Sequence, residues 1–148
     1  MYVFLRFGDF FLIEEIRCQN NLLALILRSE YNSQGIQFFT PDHFSQQLGY
    51  MNQPRGYKIQ PHIHNFINRD VQLTQEVLFI KSGRVKMDIF NLEKEFIQST
   101  VLNKGDTVLL AAGGHGFTML EQSEIIEVKT GPHVGEKDKT RFNSKEIE

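Results

Sequence analysis

Short apolar runs, each closed by glycine, proline or a cluster of Asn, Asp and Ser, recur between residues 22 and 129 and restrict this chain to a β fold. Residues 22–27 end at the polar stretch 29–35, and residues 36–39 restart a strand before Pro41. Residues 76–80 are rich in β-branched and aromatic side chains and stop at Ser82-Gly83. Residues 85–90 alternate apolar with polar; after the polar stretch 91–95, residues 96–102 complete a predicted hairpin. Asn103-Lys104-Gly105-Asp106 is turn chemistry ahead of the apolar run 107–112, and residues 124–129 supply one more strand before Gly131-Pro132. Helices are expected to be few, with residues 42–48 forming one short turn or helix. Strands of this length and spacing suggest a jelly roll or barrel.

On that scaffold, His62, His64, Glu76 and His115 make a complete donor set for a divalent metal if they converge. In a strand, the i and i+2 positions put His62 and His64 on one side while Ile63 faces the other. Glu76 opens a predicted strand, and His115 follows an apolar run in the turn Gly113-Gly114-His115-Gly116. A single histidine in a strand is more often a packed or surface residue than a ligand. Joint occurrence shifts that balance, because three imidazoles and one carboxylate suit Zn, Fe, Ni or Mn without selecting among them. His43, in Thr40-Pro41-Asp42-His43, and His133, after Gly131-Pro132, are expected in exposed loops.

Composition narrows the remaining classes. The chain has 148 residues, 41% of them hydrophobic and 23% charged, which fits one domain with a substantial core. Sixteen basic against 18 acidic residues give a formal net charge of −2, so no footprint for nucleic acid is expected. Cys18 is the only cysteine, which forbids an intrachain disulfide and points to a reducing compartment. The apolar start at residues 1–6 lacks a basic leader region and a small-residue cleavage site, and no run is long enough to cross a bilayer; a cytoplasmic protein with no membrane partner is the expectation. That start instead reads as an added strand that packs on the barrel or pairs with a second copy in a homodimer, since 13 phenylalanines need burial.

At the histidines the chain resembles the cupin superfamily. Gly56, His62, His64, Glu76 and Gly83 reproduce the family's first motif, except that the connection from Asn65 to Gln75 is longer than usual. The second motif looks like Gly105-Asp106, an apolar strand, a small-residue turn and His115; Ala111 stands where a proline is usual, the turn is one residue short, and Met119 replaces a common asparagine. The resemblance implies a cupin-type double-stranded β-helix with its barrel core over 47–129, a strand extension over 1–46 and a charged tail over 130–148. It also implies metal ligation by His62, His64, Glu76 and His115. It is weak for reaction, because this fold hosts many activities.

Three histidines and a glutamate leave a coordination position open, as catalytic metals require. Residues sharing the ligands' strand parity are candidates for the substrate wall: Lys58 and Gln60 before His62, Gln72 and Thr74 before Glu76, Phe117 and Met119 after His115, with Tyr50 reaching the mouth from its own segment. Gln60 and Gln72 orient but do not transfer protons. The expected ligand is an oxygen-rich small molecule, with isomerase, epimerase or oxygenase chemistry, and the resemblance to cupins permits a sugar or nucleotide sugar. The alternative is a non-catalytic binding or sensing module. From Glu136 onward the chain is dominated by charge; a solvated tail is expected, and the sharper reading has Lys139 and Arg141 reaching an acidic ligand or a neighbouring subunit.

Overall fold

In a computed structural model, which describes residues 6–7, 10–132 and 134–143, the protein is built from antiparallel sheets, with no α-helix among the described residues. The strands are β1 Arg6–Phe7, β2 Phe10–Phe11, β3 Ile13–Cys18, β4 Asn21–Leu27, β5 Gly35–Phe38, β6 Gly49–Asn52, β7 Glu76–Ser82, β8 Arg84–Phe90, β9 Phe96–Asn103, β10 Thr107–Leu110, β11 Gly114–Met119 and β12 Glu124–Lys129. One sheet runs β12-β7-β10-β4-β3 and the other β11-β8-β9, while β1-β2 and β5-β6 form separate hairpins.

The core lies between the two larger sheets. Ile26, Leu78, Ile80 and Val108 project from the five-stranded sheet against Val85, Met87, Ile89 and Leu102 of the three-stranded one. On β8 these buried residues alternate with Lys86 and Asp88, the period of a strand with one wet face. The central strands read differently, as unbroken apolar runs, because both of their faces are covered. Leu25 on β4 and Leu109 on β10 point away from the core into a second layer with Leu48, backed by Ile13, Phe39 and Phe44. Residues 42–48, expected as a turn or helix, form the turn that carries this second layer. A bulge leaves Leu23 without a partner on β3, and its carbonyl instead accepts the amide of Ala111 at 2.8 Å.

The loop from β9 to β10 pins the sheets together. Gly105 holds φ +90°, where a Cβ would meet Ser29 Cβ at 2.8 Å, so glycine is required. Its neighbour Asp106, 1% exposed, accepts the Ser29 amide at 2.9 Å through Oδ1, and the Asn103 amide at 2.9 Å and Arg28 Nη1 at 2.7 Å through Oδ2. Arg28 also donates to Glu14 at 2.7 Å, to the Val101 carbonyl at 2.8 Å and to Thr100 at 3.1 Å, which ties both sheets to one side chain. Burial pulls its pKa down, but the hydrogen bonds to Glu14 and Asp106 outweigh that and hold it above its ordinary value.

Two expectations change. Residues 61–64 form no strand: from Tyr57 to Gln75 the backbone has no regular secondary structure, and Ile63 and Phe66 are 90% and 95% exposed. The parity argument for His62 and His64 assumed strand neighbours that this segment does not have. His115, expected in a turn, sits instead on β11, paired with Ile89 of β8. His43 lies exposed in its turn, whereas His133 and residues 1–5 lie outside the described residues.

Candidate functional site

Glu76 and His115 meet at the open end of the two-sheet sandwich. Glu76 is the first residue of β7, and its side chain shares the inward parity of Leu78 and Ile80. His115 lies opposite Ile89, whose side chain is buried in the core, and so faces inward from the other sheet. The turn between β10 and β11 sets this approach: Gly113 holds φ +77°, and a Cβ there would stand 2.3 Å from the Phe90 carbonyl oxygen. His115 Nε2 comes within 3.2 Å of Glu76 Oε2, with the carboxylate buried and the imidazole half-buried. The hydrogen bond from His115 holds the Glu76 carboxyl below its ordinary value; burial opposes this, and Lys139 and Lys129 add to it through their charges.

A cavity of about 690 Å³ opens beside this pair, large enough for a sugar-sized molecule. Thr74, Asp88 of β8, Phe90, Phe117 and Glu127 of β12 line it, together with residues 138–142. Asp88 is engaged by Lys86 at 3.3 Å and by the Ser99 hydroxyl. A second cavity, of about 890 Å³, is lined by residues 17–23 and 70–73 among others; it lacks an inward-facing carboxylate–imidazole pair.

The four expected ligands are divided into two pairs. His62 and His64 stand edge to face with ring centroids 5.2 Å apart, so they neighbour each other as expected, but on the exposed segment before β7. His62 Nδ1 is 2.9 Å from the Gln60 carbonyl oxygen. Among the described residues, no group of three or more His, Cys, Asp or Glu side chains is gathered in a way that would hold a metal ion.

The expected substrate wall is placed elsewhere as well. Lys58 and Gln60 are exposed on the same segment as the histidine pair. Gln72 donates to Asp70 at 3.1 Å and lines the larger cavity. Tyr50 packs edge-on against Tyr31 at 4.9 Å on the β5-β6 hairpin. Met119, inward by parity, is the last residue of β11, is 50% exposed and lies outside the lining of this cavity. Thr74 and Phe117, chosen by the same parity, do reach the cavity.

Phe142 went unremarked in the sequence, although a single aromatic within a charged tail was the available signal. It packs edge-on against Phe90 at 5.2 Å and brings Lys139 and Arg141 to the cavity wall. No helix among the described residues is long and apolar enough to cross a membrane. No protein-family model matches the chain, and neither a curated protein nor a solved structure matches it.

Proposed function

We propose that the chain is a small metal-dependent cupin that binds an oxygen-rich small molecule, of the sugar or nucleotide-sugar class, in the cavity beside Glu76 and His115. The observation that carries this reading is the inward-facing Glu76–His115 pair, 3.2 Å apart, at the mouth of a two-sheet β sandwich. The path of the chain supports it: β7, β10 and β12 lie in one sheet and β8, β9 and β11 in the other, the back-and-forth winding of a double-stranded β-helix.

The donor chemistry fits a divalent transition ion, whether iron, manganese, nickel or zinc. Glu76 and His115 supply an oxygen and a nitrogen side by side, and His62 and His64 supply two neighbouring imidazoles on a segment that runs directly into β7. The two pairs stand apart among the described residues, and together they are the donors that would hold the ion. A bound ion supplies Lewis-acid polarisation of a substrate carbonyl or hydroxyl, or, as iron, redox chemistry with dioxygen. Of the chain's own residues, Phe90 and Phe117 give the cavity an apolar lining and Thr74 adds a hydroxyl. Isomerase, epimerase or dioxygenase chemistry fits this arrangement. A non-catalytic binding module is the second reading, favoured by the separation of the two residue pairs.

Metal content measured by plasma mass spectrometry, after purification without a metal-affinity step, tests the site. About one equivalent is expected, lost in His62→Ala/His64→Ala and in Glu76→Gln/His115→Ala; a metal-free protein after reconstitution with each ion rejects metal binding. Turnover of a sugar and small-acid panel then separates enzyme from module. We place the protein in the cytoplasm on its single cysteine, and as a homodimer on the exposed Phe79, Ile126 and Val128 of the outer sheet face.

A further inference from the structure

We propose that residues 138–142 form an anion-recognising wall of the Glu76–His115 cavity, so that its ligand carries a carboxylate or phosphate group bound by Lys139 with Arg141 beside it. This deepens the small-molecule reading above and rests on it, but not on the metal.

The wall is fastened at both ends. At one end the Thr74 hydroxyl donates to Asp138 Oδ1 at 2.8 Å, which ties the tail to the residues just before β7. At the other end the Phe142 ring lies edge-on to Phe90, with Lys94 Nζ 5.8 Å from its centroid. Gly114 leaves room for that ring, since a Cβ there would come within 3.0 Å of it. An ordinary solvated tail has no need of an aromatic anchor and a hydroxyl clamp either side of two cations.

Charge then selects the ligand. Glu76 is engaged by His115, Asp88 by Lys86 and Ser99, and Asp138 by Thr74, while Glu127 is an exposed residue of the lining. Lys139 is an exposed residue of the cavity lining, near enough to depress the Glu76 carboxyl, and makes no ion pair among the described residues. A cation held over a cavity by anchors on both sides is already positioned for an anionic group, which lowers the ordering cost of binding.

The test is calorimetric titration of the full chain, stripped of metal over a chelating resin, with malonate, inorganic phosphate and uncharged glycerol as probes. Saturable binding of malonate or phosphate, but not glycerol, is expected; malonate alone marks a carboxylate ligand and phosphate alone a phosphorylated one. Lys139→Gln is expected to weaken that binding about tenfold or more, and Lys139→Arg to restore most of it. Lys137→Gln, on the same tail but outside the cavity lining, is expected to leave it unchanged. Phe142→Ala loosens the wall and weakens binding with the β-sheet circular dichroism preserved. Absence of saturable anion binding, or equal losses in the Lys139 and Lys137 variants, overturns the proposal. Because the titration is metal-free, failure of the metal site leaves its result readable.

Discussion

Replacing Asp106 by alanine removes the acceptor for three donors at once. The Ser29 and Asn103 amides, each 2.9 Å from a carboxylate oxygen, lose their partners within a site where Asp106 is 1% exposed. Both bonds are part-buried, and an amide left there without its acceptor costs at most about 1–3 kcal/mol. Arg28 loses its 2.7 Å contact but keeps Glu14, Val101 and Thr100, so the charge is not stranded and the ion-pair loss is the smaller part. The two amide terms and the smaller ion-pair term together come to about 3–5 kcal/mol, a large share of the roughly 5–15 kcal/mol that holds a domain together. With an m-value of about 2 kcal/mol/M in urea, the midpoint moves down by about 2 M. Asp106→Asn keeps one acceptor oxygen and presents an amide donor to the other N–H, so about half that shift is expected. Urea unfolding followed by circular dichroism reads both variants. A shift under about 0.5 M for Asp106→Ala with m unchanged refutes the assignment of Asp106 as the pin between the sheets.

Acid is expected to weaken the site in the metal-free protein. The Glu76 carboxyl is lowered from an ordinary value of 4.5, so its contribution is present above that value and is lost as pH falls through the lowered native one. Wild type should therefore converge in stability with Glu76→Gln as pH falls from above 4.5 through the lowered native value, and a difference that ignores pH refutes the pairing with His115. Light scattering at micromolar concentration should return the mass of two chains; the mass of one chain refutes the homodimer.

Much of the strand layout was legible in the sequence because it depends on local alternation. Residues 124–129 match β12, and the alternation of Val85, Met87 and Ile89 marked the inward face of β8. Gly105 and Asp106 were read as turn chemistry, and the structure adds that the aspartate is a buried hub. What misled was the local rule applied without a partner: His62-Ile63-His64 has strand spacing, but an extended segment becomes a strand only when another edge accepts its hydrogen bonds.

The sequence by itself determined that this is a β protein and where most of its strands run, and it singled out Glu76 and His115 among four candidate ligands. Only the tertiary structure decided which members of that set meet. Glu76 and His115 are far apart in the chain and come together because β7 and β11 lie in opposing sheets, a consequence of strand order that no local period encodes. The same holds for the tail: its charges predict solvation, and the docking of Phe142 against Phe90 brings Lys139 to the cavity instead. Side-chain period is set within a few residues, whereas pairing across sheets is set by burial summed over the whole core.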